Sequence, residues 1–416
     1  MASIPVVRFS PPYGPAPRLS PLVEVSVELD GQRMVEVRAA ARASGRLMLS
    51  PEALAIARFF DGGRDLRAVQ RAIHEKYGQI LYVERIHELA RALHQAGLFE
   101  ADQTPNRLEA PTVPDLRALV PRFRRLAHAG RAYPANADAL RELLRSYFSA
   151  APSPGETVPS PVAGLVAPHV DLFRGGATHA RAYQALRATT ADIFVILGTT
   201  HASLPHLYTA TRALYDTPFG PLPTDERALA ALAEAYGPEL FAHEPAHEAE
   251  PSIELSALML RYLFPDRPIT ILPVLCGSLY PCAARGERPD EQPEVARMLA
   301  GLEIALGGRD AVVIAAADLS HVGELYGDDH APSAAELAAL AEADRQSLSR
   351  VEALDPEGFF DHVGPDADTR RIAALTPIYT MLRAVKGTRA RLIDYARWVG
   401  EETGSAITFA AAAVEA

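Results

Sequence analysis

The chain has 416 residues, with 41 Lys and Arg against 52 Asp and Glu, a formal net charge of -11 and 48% hydrophobic residues. That is a globular composition, sized for about two to three domains. Its acidic balance excludes a protein held by overall charge to nucleic acid or to an anionic membrane surface. Two cysteines, Cys276 and Cys282, are too few for a disulfide scaffold or a four-cysteine zinc site, and point to a reducing compartment.

Prolines at positions 5, 11, 12, 15 and 17 interrupt the stretch where a signal peptide would need an unbroken apolar core. No apolar run approaches the roughly 20 residues of a membrane span, so a cytoplasmic location without membrane contact is expected. Residues 1–21 read as a Pro-rich extended arm. Val23-Glu24-Val25-Ser26-Val27 and Met34-Val35-Glu36-Val37 alternate apolar and polar residues across Asp30-Gly31, which predicts a β-hairpin.

Ser50-Pro51-Glu52 offers an N-cap with Pro at the first helical position, opening a helix that stops before Asp61-Gly62-Gly63. Asp65 can cap a second helix with Leu66, Val69, Ala72, Ile73 and Tyr77 on one face; a third runs from Val83 through Ile86, Leu89 and Leu93 to Gly97. A hairpin and three short helices make a small winged-helix-like α+β domain over residues 22–100. Residues 101–121, with Pro105, Pro111, Pro114 and Pro121 among polar residues, suit a linker.

Beyond 122 the pattern changes. Apolar strands at Val162–Val166, Ile193–Leu197, Ile269–Leu275, Ala311–Ala316 and Ile407–Ala412 alternate with helical patterns at 178–188, 225–236, 252–263, 293–306 and 334–348. This predicts an α/β domain with a parallel or mixed sheet covered by helices on both faces.

Ligands gather at the carboxyl edge of such sheets. Three strands run there into Pro168-His169-Val170-Asp171, Gly198-Thr199-Thr200-His201 and Ala317-Asp318-Leu319-Ser320-His321. One histidine past a strand is ordinarily a loop residue, but three past three strands imply convergence. Imidazole nitrogen suits zinc, iron or copper, and open iron sites commonly use two histidines and a carboxylate, here Asp171, Asp318 or Glu254. His247, in an acidic stretch, reads as solvated. Arg174-Gly175-Gly176 is too sparse for a phosphate loop, and a Gly-x-Ser-x-Gly elbow is lacking.

Seven ordered motifs carry a family resemblance. They are Ala127-His128-Ala129-Gly130-Arg131-Ala132-Tyr133-Pro134-Ala135, Gly164-Leu165-Val166-Ala167-Pro168-His169, Leu197-Gly198-Thr199-Thr200-His201, Tyr215-Asp216-Thr217-Pro218-Phe219-Gly220 with Asp225, Glu250-Pro251-Ser252-Ile253-Glu254, Ile271-Leu272-Pro273-Val274-Leu275, and Asp318-Leu319-Ser320-His321. Over residues 122–416 the chain resembles the Memo family, whose bacterial members are called AmmeMemoRadiSam system protein B. The resemblance implies the fold of class III extradiol dioxygenases and a pocket that binds iron or copper in some members.

By motif, His169 and His201 fall on two metal ligands, and Ser320 stands where some members have a ligand cysteine. A hydroxyl is a poor ligand for a soft metal, so Asp171, Asp318 or His321 would complete the shell. Pro251 replaces a family histidine, Asp171 a small residue, and Ala373-Ala374 a Cys-Gly pair. If the protein is an enzyme, the resemblance and the chemistry imply an extradiol-dioxygenase-like oxidoreductase: His321 as acid or base, Asp318 or Glu254 orienting it, a small-molecule ligand in the pocket. The alternative is a non-catalytic scaffold that binds metal or peptide. Residues 22–100, with Leu49-Ser50-Pro51-Glu52, Phe60-Asp61-Gly62-Gly63-Arg64-Asp65-Leu66 and Leu93-His94-Gln95-Ala96-Gly97-Leu98, resemble the PqqD-like module, which implies a peptide partner.

Overall fold

The structure, a computed structural model, describes residues 18–29, 32–40, 46–49, 51–77, 83–100, 123–151, 161–202, 204–367 and 369–416. The chain divides into two compact units, Met1–Arg122 and Phe123–Ala416. The hairpin turn at Asp30-Gly31, the Ser50 cap, most of the Pro-rich arm and the linker lie outside the described residues.

In the first unit β1 (Leu22–Leu29), β2 (Gln32–Ala39) and β3 (Leu47–Leu49) form an antiparallel sheet in the order β1-β2-β3. Helices α1 (Pro51–Ala57), α2 (Leu66–Tyr77) and α3 (Val83–Gln95) follow. Asp65 accepts the Ala68 N–H at 2.6 Å, the expected cap of α2. Leu66, Val69 and Ile73 of α2 and Ile86, Leu89 and Leu93 of α3 share one core with Val37, Leu47 and Leu49 of the sheet. Arg18 and Leu19, at the end of the arm, bridge to Asp61 and Phe99.

The second unit runs β4 (Phe123–Arg124), α4 (Ala137–Ala150), β5 (Val162–Ala167), α5 (Leu172–Gln184), β6 (Ile193–Thr199), β7 (Tyr208–Ala210), β8 (Leu214–Tyr215) and α6 (Glu226–Tyr236). Next come α7 (Pro251–Leu263), β9 (Thr270–Cys276), α8 (Tyr280–Ala284), α9 (Pro293–Leu306), β10 (Ala311–Ala316) and β11 (His321–Val322). It closes with α10 (Ala334–Glu352), α11 (Pro356–Val363), α12 (Leu375–Ala384), β12 (Arg389–Val399) and β13 (Ala406–Glu415). No helix among the described residues is long and apolar enough to cross a membrane.

Eight strands make one mixed sheet, in the order β11-β13-β5-β10-β6-β9-β7, with β12 on the far side of β13. β5, β10, β6 and β9 are parallel, and β13 and β7 flank them antiparallel. The two-residue period of a strand sends alternate side chains to opposite faces. Ile193, Val195 and Leu197 enter one core with α6, α9 and α12, whereas Phe194 and Ile196 enter the other with α4, α5 and α7. Near-continuous apolar strands are what a sheet covered on both faces requires.

α5 begins at Leu172 and contains Gly175-Gly176, so these glycines lie inside a helix instead of preceding one. A Cβ on Gly175 would stand 2.3 Å from Val170 Cγ1, and one on Gly176 would stand 2.2 Å from the Tyr147 ring. They are there to let α5 approach α4 and the loop after β5. Gly198, at the end of β6, acts likewise toward α7, since its Cβ would meet Ile253 Cγ1 at 2.5 Å and Ser252 Oγ at 2.6 Å. Gly198→Ala is therefore expected to destabilise the protein by about 1–3 kcal/mol, the usual cost of overpacking, read as a lower urea midpoint with an unchanged slope.

Candidate functional site

Register brings the site together. Ala316 of β10 pairs with Ala167 of β5 on one side and Gly198 of β6 on the other, so three adjacent parallel strands end level. His169, His201, Asp318 and His321 follow within five residues of those ends.

His169 and Asp318 interlock the first two loops. The His169 N–H donates to Asp318 Oδ1 at 3.0 Å, and the Asp318 N–H donates back to His169 Nδ1 at 3.2 Å. Because Nδ1 accepts, the neutral ring carries its proton on Nε2, 3.6 Å from Asp318 Oδ2. The His169 and Asp318 side chains are 4% and 2% exposed, so the pair is shielded from water.

His201 stands beside His169, the ring centroids 5.3 Å apart. Its N–H donates to Glu250 Oε2 at 2.9 Å, and its Nδ1 lies 3.1 Å from both Glu250 oxygens. This carboxylate raises the His201 pKa above that of an ordinary histidine, against an opposing effect of burial. Burial alone would push the Glu250 carboxyl up, but its bonds to His201 hold it lower. Glu250 is also the N-cap of α7, accepting Ser252 N–H at 3.2 Å, while Ser252 Oγ donates to Thr199 O at 2.8 Å. The close approach allowed by Gly198 is thus what brings Glu250 to His201.

His321 is held by the segment before α12. Its N–H donates to Arg370 O at 2.8 Å and its Nδ1 donates to Arg371 O at 3.1 Å, leaving Nε2 as an acceptor. Burial pushes its pKa below the ordinary value, with Asp318 offsetting part of the shift. Tyr326 packs edge-on against this ring, centroids 5.2 Å apart, and also packs against the cluster of Val170, Ile407 and Phe409.

The other sequence candidates are engaged elsewhere. Asp171 caps α5, accepting the Phe173 and Arg174 N–H groups at 3.0 Å each, and pairs with the Arg174 side chain. Ser320 Oγ donates to Asp344 Oδ1 at 2.9 Å, a fully buried carboxylate that also receives Arg370 and Tyr395. Glu254, 0% exposed, binds the Arg124 guanidinium, the Tyr133 hydroxyl, and the Ala127 and His128 N–H groups at 3.3 and 3.1 Å. It ties the segment after β4 to α7.

One histidine differs from what the sequence suggests, and a second is buried where no expectation was set. His247, expected in solvent, is 1% exposed, its Nε2 3.0 Å from Thr209 O and its Nδ1 2.7 Å from the Tyr215 hydroxyl; burial lowers its pKa to about 3. His179, which carries no sequence signal, is 0% exposed behind the His169 loop and donates from Nε2 to Val170 O at 2.8 Å. Glu250 is the partner of His201 that the sequence candidates leave out. Its signal is a carboxylate directly before Pro251, the composition of a helix N-terminus.

A metal-binding histidine normally donates its outer ring N–H to a carboxylate or carbonyl, leaving the other nitrogen as ligand. His201 and His321 have that arrangement through Glu250 and Arg371 O. His169 does not, because its Nδ1 lone pair is taken by a backbone N–H. Among the described residues no group of three or more His, Cys, Asp or Glu side chains stands so as to hold a metal ion. The side chains as arranged do not fit a three-ligand iron or copper centre.

A mixed α/β sheet whose parallel strand ends carry a histidine cluster defines the class of protein. The Memo-like protein family matches residues 124–413, and the chain belongs to that family. A MEMO1 family protein of Aquifex aeolicus is 24% identical over 366 residues, covering 87% of this chain and 90% of the relative. A MEMO1 family protein of Thermus thermophilus is 28% identical, covering 80% and 94%, and one of Pyrococcus furiosus is 30% identical, covering 58% and 80%. The Aquifex match reaches into the first unit as well as the second.

Two outcomes follow from this geometry. Glu254→Gln leaves the buried Arg124 charge without its partner, and is expected to cost about 3–5 kcal/mol in denaturant titration while His201 and His321 keep their chemical shifts. Glu250→Gln removes the carboxylate that favours the charged ring, so His201 should titrate at lower pH than in the wild type by histidine NMR.

Proposed function

We propose that the protein binds a small molecule with an ionisable hydroxyl at the rim of β5, β10 and β6, and exchanges a proton with it. One observation carries this reading: two histidines past neighbouring strand ends are pushed in opposite directions, His201 toward its charged form by Glu250 and His321 toward its neutral form by burial. Groups whose environments drive their pKa values apart are the usual mark of an acid and a base. His321 Nε2 is the proton acceptor, His201, favoured in its charged form by Glu250, supplies positive potential for the resulting oxyanion, and Asp318 holds His169 in place beside His201.

Iron or copper, which the resemblance implied together with an oxidoreductase activity, enters no step of this reading. Elemental analysis of the anaerobically purified protein is expected to give well under one iron or copper per chain. About one per chain, lost in a His169→Ala, His201→Ala double variant, would overturn the metal-free reading in favour of dioxygenase-like chemistry. The direct test uses chelator-treated protein and 4-nitrocatechol, whose absorbance reports its ionisation. At a pH where the free probe is neutral, the bound probe is expected to appear as the anion; His321→Ala should abolish that signal, and His201→Ala should weaken binding about tenfold, roughly 1.4 kcal/mol. Binding that requires added metal would refute the assignment.

A peptide partner for the first unit is a second reading. It is favoured by a groove of about 380 Å³ lined by Arg18, Leu19, Arg58, Phe60 and Asp61.

A further inference from the structure

Arg371 has a left-handed backbone, φ 49°, a conformation shared among non-glycine residues only with Leu354 within the described chain. A residue with a Cβ pays for that conformation, and keeps it only where its surroundings over-determine it. Here the guanidinium is pinned. Arg371 Nη2 donates to Asp328 Oδ1 at 2.7 Å, and the other oxygen of Asp328 accepts the Gly323 N–H at 2.6 Å. Arg371 Nη1 lies 3.4 Å from both His321 O and Thr369 O. What the strained turn delivers is the Arg371 carbonyl, presented to His321 Nδ1 at 3.1 Å.

The preceding residue reinforces the same grip from inside. The Arg370 carbonyl takes the His321 N–H, and its buried guanidinium reaches Asp344 Oδ1 at 3.1 Å, the oxygen that also takes Ser320 Oγ–H at 2.9 Å. Two successive arginines therefore hold Ser320-His321 between them. Arg370 works through the buried carboxylate, and Arg371 through the main chain and Asp328.

We infer that Arg371 is the positioning residue that keeps the His321 proton on Nδ1, by presenting its carbonyl from a left-handed backbone that Asp328 pins. A carbonyl can only accept, so the neutral ring facing it places its proton on Nδ1 and its lone pair on Nε2. The inference rests on reading His321 as the proton acceptor of the pocket, and it explains why that ring arrives in the accepting tautomer.

The experiment is long-range ¹H–¹⁵N NMR of histidine-labelled full-length protein, with the His321 signals assigned by their loss in His321→Gln. Wild type is expected in the Nδ1–H form. Arg371→Gly should keep that form, since glycine adopts the left-handed turn without a pin. Arg371→Val, which resists the turn, should lose it, with Nε2 moving toward the protonated shift. Asp328→Ala, which leaves the strained arginine unpinned, should move the same way, and it decides the question if the valine variant does not fold. A folded valine or Asp328→Ala variant that keeps the wild-type tautomer overturns the inference, as does a glycine variant that loses it. The tautomer is read without ligand, whereas the 4-nitrocatechol signal of His321→Ala is read separately. An unchanged probe signal there would end the proton-acceptor reading and leave the tautomer result standing.

Discussion

The exchange of hydrogen bonds between His169 and Asp318 is the constraint on which the arrangement at the strand ends depends. Two loops leave neighbouring parallel strands at the same level, and each offers the other a backbone N–H and a side-chain acceptor. Burial makes this exchange strong, because an unpaired carboxylate or amide there would carry its full desolvation cost. Once those loops are fixed, His201 and His321 follow from neighbouring strand ends. Each is then oriented by a partner from outside the three strands, Glu250 at the start of α7 and Arg371 before α12.

Most of the second unit was legible because its strands are buried on both faces and therefore apolar throughout. Ala311–Ala316 is predicted and observed over the same residues, and the other core strands differ only at their ends. β12 was not legible. Its sequence, Arg389 to Val399, mixes Arg391, Asp394 and Arg397 with Leu392, Tyr395 and Trp398, as befits a strand that pairs only with β13 among the described residues. α5 begins before the helical pattern at 178–188 and runs through Gly175-Gly176, where close packing against Val170 and Tyr147 requires glycine.

The site was legible in its positions more than in its partnerships. Residues just past strand ends follow from apolar runs alone, and His169, His201, Asp318 and His321 stand at such positions. Which way a side chain turns depends on contacts distant in sequence. Ser320 turns to Asp344, 24 residues on, and Glu254 turns to Arg124, 130 residues before it. Asp171 is the local exception: a carboxylate two residues before a helical Phe173-Arg174 pair had a capping role available to it from the sequence itself.

The arginines of β12 have a further consequence. β13 is a ten-residue strand, Ala-Ile-Thr-Phe-Ala-Ala-Ala-Ala-Val-Glu, buried along its whole length, and a bare strand of that composition would be a template for pairing with another chain. β12 covers it completely, from Arg389 opposite Glu415 to Val399 opposite Ala406. Outside β13 the sheet therefore presents a strand that carries Arg389 and Arg397, with Arg391 paired to Glu415 and Asp394 to Arg181, so an approaching strand would meet charged side chains and not the apolar run of β13. The strand that looks least like a strand is the one that closes off the apolar edge of β13.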